Sequence, residues 1–389
     1  MTAPRHPDGP VLVVGSGLAG WSVVREFRKL DTTTPVLMMT ADAGDFYAKP
    51  ALSNALVQGK AAVQLVTTSA EKMVATLGVT LLQHTQVTGI DVLAQEVHTA
   101  TKGAFAYRQL VLATGAQAIR LNFTGNAATE VMSVNSLDDY AAFRTKLAPQ
   151  ARVLIIGAGL IGCEFANDLA ASGHAVHVVD PGAAPLASLL PAEASAVLQT
   201  ALEALAVRWH FGTSATTVDR VNDEYVVTFA NGQTVVVDVV LSAVGLRADM
   251  SLAQAAGLTT ERGIVVNAQL QTSAAHVYAL GDNTQYASES AGVSRTLPYV
   301  MPIMAAAKAL AQTLAGTSTD VQFALMPVAI KTPALPLVVA PALPGTVGSW
   351  TKVEEGIWHF VDAQMQVRGF VLCGAQTSRR AEHTKRVTA

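Results

Sequence analysis

Apolar residues gather in the same order at two places along the chain. A short apolar run at residues 10–14 is followed by closely spaced glycines and then by Trp21, Val24, Phe27 and Leu30. A second run at residues 152–156 is followed by glycines at 157, 159 and 162 and then by Phe165, Leu169 and Ala170. A continuous apolar run reads as a buried strand, and apolar positions three or four apart read as one face of a helix. Strand, tight turn, helix is therefore predicted twice. Each half also ends alike: an apolar strand at 109–115 closes in Ala113-Thr114-Gly115, and another at 241–245 closes in Gly245. After the second ending come a strand at 277–280, Gly281-Asp282 and a helix over 302–314. From residue 321 the pattern turns to short β-like runs at 327–330, 337–340 and 356–361, which predict a small terminal sheet.

Composition narrows the class. The chain has 389 residues, enough for two or three domains with substantial cores. Half of them are hydrophobic and only 14% are charged. That balance prompts a search for a membrane span, which needs about 20 consecutive apolar residues. None is present: the richest stretch, 235–244, is interrupted by Asp238 and reads as one buried strand. The first ten residues are polar and Pro-rich, without the apolar segment of a signal peptide. A net charge of −3 gives no basic excess for nucleic acid. A soluble cytoplasmic protein with no membrane insertion is expected. Cys163 and Cys373 lie too far apart for a CxxC pair or a disulfide framework. The nine histidines show no HxH or HxxxH spacing, so no protein-bound metal is expected.

The glycines carry the first chemistry. Gly15-Ser16-Gly17-Leu18-Ala19-Gly20 matches G-x-G-x-x-G directly between a predicted strand and a helix, and Gly157-Ala158-Gly159-Leu160-Ile161-Gly162 repeats it. In this motif the first glycine permits the turn, the second lets a pyrophosphate approach the backbone, and the third lets helix and strand pack. Unpaired N–H groups at the helix start then face the phosphates. After the second unit's next strand stands Asp180, placed to accept hydrogen bonds from an adenosine ribose and to repel a 2′-phosphate, so NADH is preferred over NADPH. The plainer reading is that Asp180 opens the Pro181-Gly182 turn. At the equivalent place in the first unit stands Thr40, with Asp42 two residues later. Either Ala41-Asp42 makes the adenosine contacts or the ribose is held differently. The fold expected is α/β: two Rossmann-like dinucleotide-binding domains, the first discontinuous over 1–115 and 246–320, the second inserted at 116–245, and a small C-terminal α+β domain at 321–389.

The two glycine units, Ala113-Thr114-Gly115 and Tyr278-Ala279-Leu280-Gly281-Asp282 together resemble the two-dinucleotide flavoprotein reductases of the glutathione-reductase-like superfamily, over about residues 11–314. Four further stretches look like the rubredoxin-NAD reductases of alkane-oxidising systems. They are Tyr47-Ala48-Lys49-Pro50-Ala51-Leu52-Ser53, the 157–167 run with Cys163-Glu164, Tyr299-Val300-Met301-Pro302, and Lys331-Thr332-Pro333. Ferredoxin reductases of ring-hydroxylating and P450 systems share a similar first segment.

The resemblance implies FAD as cofactor and NAD(H) as co-substrate. Ser16, Gly17, Leu18 and Ala19 would hold the FAD pyrophosphate, Ala41 and Asp42 the adenosine side, and Val87 the adenine through its backbone. Thr114, Gly115 and Gly281 would belong to the same site, Asp282 would bind the ribityl chain, and Val300 would touch the flavin ring. Gly157, Gly159, Leu160, Ile161, Gly162, Asp180 and Gly245 would form the NAD(H) side. Lys49 would lie beside flavin N5 and form an ion pair with Glu164 of the nicotinamide-site helix, Pro50 would belong to the cofactor site, and Lys331 would approach from the C-terminal domain. Disulfide-reducing relatives need a cysteine pair near residues 47–53, which this chain lacks. Electrons would therefore leave the flavin singly, to a rubredoxin that in turn serves a membrane-bound alkane monooxygenase. The rivals are an NADH-dependent ferredoxin reductase and a non-catalytic, NADH-sensing flavoprotein. Trp350 and Trp358 read as core, and the basic positions Arg379, Arg380, Lys385 and Arg386 as a solvated, partly disordered tail.

Overall fold

The structure, a computed structural model, describes residues 4–388. In chain order its principal elements begin with β1 (Val11–Val14), α1 (Leu18–Arg28), β2 (Val36–Met39), β3 (Thr80–Leu82) and β4 (Gln109–Leu112). There follow α2 (Leu137–Lys146), β5 (Arg152–Ile156), α3 (Leu160–Ala171), β6 (Ala175–Asp180), α4 (Ala192–Glu203), β7 (Arg208–Phe211) and β8 (Val239–Ser242). The last third adds β9 (Val277–Ala279), α5 (Val300–Leu314), β10 (Val328–Ile330), β11 (Leu337–Ala340), β12 (Gly348–Glu354), β13 (Ile357–Asp362), β14 (Val367–Cys373) and α6 (Arg380–Thr384). These fall into two compact units. One holds the chain up to Ala48, Val66–Gln117 and Arg247–Met326; the other holds Lys49–Leu65, Ala118–Leu246 and the chain from Pro327 onward.

The first unit is built on a parallel sheet in the order β9-β4-β1-β2-β3. Its strands are apolar on both faces, as a sheet covered on both sides requires. Trp21 and Phe27 of α1 share a core with Ala306, Ala307 and Leu310 of α5. The helix α1 stops at Arg28, and Leu30, expected on its apolar face, is exposed in the turn beyond. Chain order reverses between β1 and β4, and the crevice outside their carboxyl ends is where such sheets bind ligands.

The second unit repeats the plan with the parallel order β7-β6-β5-β8. The unit also holds the C-terminal sheet, antiparallel in the order β10-β11-β14-β13-β12. Val339, Trp358 and Val371 of that sheet share one core with Phe165 and Leu169 of α3 and Leu198 of α4. In this grouping the C-terminal strands share a unit with the second nucleotide sheet, and so do residues 49–65. Two of the five terminal strands, β12 and β14, were not among the expected runs; β12 is an edge strand, exposed along most of its length.

The stretch 235–244 is two strands rather than one. Thr234–Val237 is antiparallel and β8 parallel, and Asp238 between them accepts from Arg152 N at 2.7 Å and Arg152 Nη2 at 2.5 Å. The C-terminal tail is likewise folded. Arg379 pairs with Glu354 and Glu382, Arg386 with Glu382, and His383 of α6 is buried against His359.

Candidate functional site

In the first unit the glycine turn separates what the chain needs from what it leaves open. A Cβ on Gly15, at φ +108°, would stand 2.2 Å from the carbonyl oxygen of Ala113, and one on Gly20 would stand 2.0 Å from that of Gly15. Both glycines are demanded by the turn itself. A Cβ on Gly17 would meet nothing within 4 Å. The middle glycine thus keeps a space clear that no protein atom uses, directly before α1, whose start has no side-chain cap. The second unit shows the same arrangement. Cβ atoms on Gly157 and Gly162 would collide at 2.8 Å and 2.0 Å, Gly159 has nothing within 4 Å, and α3 begins uncapped. Two dinucleotide pyrophosphates fit these cradles, since orphan N–H groups and open space are what a phosphate needs.

Asp42 is bonded to Thr40, the residue that stands where the second unit has Asp180. Its Oδ1 accepts from Thr40 Oγ1 at 2.6 Å and from Gly44 N at 2.9 Å, and Ser16 Oγ lies 3.1 Å away. Ala41 and Asp42 are exposed beside the glycine turn. Backbone bonds from Thr85 N to Thr40 O and from His84 N to Asp42 O bring the strand start at Val87 alongside.

At the end of β9 the Gly281-Asp282 turn is pinned from both sides. Gly281 has φ +98° and its N–H donates to Tyr286 Oη at 3.0 Å. Asn283, fully buried, donates to Leu112 O and Thr114 Oγ1, both at 3.1 Å. Asp282 is left half-buried between two fixed neighbours. Val300 is exposed at the start of α5, whose first turn has no side-chain cap. Tyr286 and Asn283 were not singled out in the sequence, although Asn283 adjoins the quoted motif.

The second unit places a buried polar stripe on α3. Glu164 is 1% exposed, and Asn167 and Asp168 are as deeply buried. Glu164 accepts from Ser53 Oγ at 2.5 Å, Lys331 N at 2.9 Å and Lys331 Nζ at 2.9 Å, and Lys331 Nζ also bonds Pro50 O. A buried carboxylate is tolerated when an opposite charge and hydrogen bonds replace its water, and Glu164 has both. Asn167 Oδ1 accepts from Ala334 N at 3.0 Å. Asp168 accepts from Leu56 N at 2.9 Å and Val57 N at 3.0 Å, and burial nevertheless holds its carboxyl above the ordinary range. One helix face therefore grips two remote segments. Lys49 Nζ donates to Asn135 Oδ1 at 3.2 Å.

Asp180, at the end of β6, accepts from Ala158 N at 2.7 Å and Gly182 N at 2.6 Å. It therefore ties the Gly157–Gly162 turn to the turn that follows its own strand. Gly245, at φ +107°, accepts through its carbonyl from Ile119 N. Leu160 and Ile161 open α3, with Ile161 exposed. Cys163 is buried with its thiol directed at Ala158 O, and burial pushes both it and Cys373 up to about 12. Thiolate chemistry at neutral pH is thus closed to both.

Comparison with known proteins agrees with this geometry. The model of the Pyridine nucleotide-disulphide oxidoreductase family matches residues 9–312, and that of the Rubredoxin binding C-terminal domain matches 320–387. A Rubredoxin-NAD(+) reductase of Acinetobacter baylyi is 44% identical over 95% of this chain and 95% of its own. One of Alcanivorax borkumensis is 43% identical over 98% and 99%. The reductase in a covalent putidaredoxin reductase–putidaredoxin complex superposes with a TM-score of 0.88 at 23% identity, over 97% of this chain and 93% of that one. The chain belongs to the pyridine nucleotide-disulphide oxidoreductase family, as the sequence motifs led one to expect. FAD and NAD(H) are the cofactors of that family, and the two phosphate cradles are of the kind they need.

Proposed function

We propose that this chain is an NADH:rubredoxin oxidoreductase. One observation carries the reading: two phosphate cradles stand open in a chain whose two thiols are both buried and held protonated. The names of the two relatives and the match at 320–387 favour rubredoxin as acceptor over ferredoxin. Bound FAD supplies the ability to take a hydride and release electrons one at a time.

The residues divide the remaining work. Ser16, Gly17, Leu18 and Ala19 would hold the FAD pyrophosphate, with Asp42 accepting from the adenosine ribose, Ala41 beside it, and Val87 meeting the adenine through its backbone. Asp42 Oδ1 is taken up by Thr40, Gly44 and Ser16, so its other oxygen would accept from the ribose. Thr114, Gly115, Gly281 and Asp282 would receive the ribityl chain, and Val300 the ring. On the NADH side, Asp180 would accept from the ribose while keeping its two backbone bonds, because each carboxylate oxygen has two lone pairs. Lys49 and Pro50 would lie at flavin N5, and Glu164 would orient the reacting rings with Lys49 and Lys331 as counter-charges.

We further propose that the segments 1–115 with 246–320, 116–245 and 321–389 serve FAD, NAD(H) and acceptor respectively. Reduced rubredoxin would feed a membrane-bound alkane monooxygenase from the cytoplasm. No helix among the described residues is long and apolar enough to cross a membrane.

The test is the visible spectrum of the purified protein, followed by NADH-driven turnover with rubredoxin and with a [2Fe–2S] ferredoxin. A flavin spectrum and faster reduction of rubredoxin are expected. Reduction of the ferredoxin alone would overturn the acceptor, and a colourless protein that FAD fails to reconstitute would overturn the whole reading.

A further inference from the structure

We infer that Asn135 is a positioning residue for the Lys49 ammonium, a role that rests on the reading of Lys49 as the flavin-side lysine. A lysine side chain has many rotamers, so holding its charge in one place requires a fixed acceptor. Asn135 Oδ1 is such an acceptor, 3.2 Å from Lys49 Nζ.

The amide is itself held by the start of α2. Asn135 N donates to Asp139 Oδ2 at 3.0 Å, and Asp139 N donates to Ser136 Oγ at 3.0 Å. Ser136 caps the helix while Asp139, three residues on, reaches back past the cap to residue 135, a variant of the capping box. The helix is also anchored farther along. Tyr140 and Phe143 are fully buried, Tyr140 Oη donates to Lys60 O at 2.9 Å, and Arg144 Nη2 donates to Gly59 O at 3.1 Å. So α2 meets the 49–65 segment at both of its ends, and its amide end falls on the ammonium. An amide orients the ammonium without adding negative charge, which suits a group placed to favour electron arrival nearby.

The experiment compares wild type with Lys49→Ala, Asn135→Ala, Asn135→Asp and the double variant Lys49→Ala/Asn135→Ala, all as FAD-loaded proteins. Two quantities are read: the rate of flavin reduction by NADH in rapid mixing, and the midpoint potential of the bound FAD. Asn135→Ala is expected to slow reduction by about 10–100-fold, since a reacting group misplaced by about 1 Å can cost about 100-fold. The double variant should be no slower than Lys49→Ala alone, because both changes remove one arrangement. Asn135→Asp keeps the shape and the bond but adds a charge, and should lower the potential relative to Asn135→Ala.

Additive losses in the double variant, an unshifted potential in Asn135→Asp, or a wild-type rate in Asn135→Ala would each overturn the role of Asn135 while leaving that of Lys49 in place. A wild-type rate in Lys49→Ala would overturn both.

Discussion

Gly17 and Gly20 lie three residues apart and should respond to the same substitution in opposite ways. A methyl group on Gly20 would stand 2.0 Å from Gly15 O, so Gly20→Ala should destabilise the apoprotein by about 1–3 kcal/mol, the usual cost of overpacking. A methyl group on Gly17 meets no protein atom within 4 Å, and its φ of −69° suits alanine. Gly17→Ala should therefore melt as the wild-type apoprotein does but retain FAD poorly. Thermal melts of apoprotein and flavin retention on gel filtration read the two effects; equal FAD retention by Gly17→Ala and wild type would show that the open space is not a phosphate site. Asp180 is a second case, in which one carboxylate carries two readings. It accepts from Ala158 N and Gly182 N, so the turn reading and the ribose reading describe the same carboxylate. Asp180→Ala should erode the preference for NADH over NADPH, with kcat/KM for the two nucleotides drawing closer; an unchanged ratio would leave Asp180 a turn residue only. The glycines and Asp180 were legible because their spacing is local. Asp42 could be read only as one of two options, because its bond to Thr40 is made across a turn that spacing does not reveal.

At the scale of elements, α3 shows why a helix pattern can mislead about burial. Its sequence shows Phe165 and Leu169 at helical spacing, with the polar Glu164, Asn167 and Asp168 around them. The helix is instead buried almost all round, because backbone from 50–57 and 331–334 covers the polar side. Those segments are more than a hundred residues away in sequence, and neither composition nor period announces them. Glu164 was identified through its family motif, whereas Asn167 and Asp168, which do the same kind of work, were missed. Asp168→Ala leaves the N–H groups of half-buried Leu56 and exposed Val57 without their acceptor, so the loss should fall at or below about 1–3 kcal/mol, the cost of one orphaned buried donor. The loss should appear locally, as faster hydrogen exchange and proteolysis within 49–65. Uniform exchange across the whole second unit would mean that Asp168 supports the core rather than the segment.

For the molecule as a whole, the sequence disclosed two glycine-headed units and a terminal sheet, but the second unit's core runs through both its parallel sheet and the C-terminal strands, a union made by side chains such as Trp358 and Leu198. That union has a consequence in acid. His174, His177, His210, His359 and His383 all belong to the second unit, and burial depresses the pKa of each below its ordinary value of about 6.5. Two pairs are joined ring to ring, His177 Nδ1 to His210 Nε2 at 2.9 Å and His359 Nε2 to His383 Nδ1 at 2.8 Å. Such a contact needs one neutral ring as acceptor, so a second proton breaks it. Around the second pair stand Arg379 and Arg386, which oppose protonation, and Glu382 and Glu354, which favour it; burial outweighs the acids. The direction of the pH effect follows. Below about pH 6.5 the unfolded chain binds more protons at these histidines than the folded one. Their contribution is therefore fully present above that pH and is lost as pH falls toward the folded values. The urea midpoint of the second unit should drop between pH 7 and pH 5, and hydrogen exchange should accelerate in β13 and α6 around the His359–His383 pair. His359→Phe, which removes one titrating ring and the bond together, should flatten that acid slope even if it lowers the midpoint at pH 7. A slope as steep as that of wild type would mean that other groups govern the acid response.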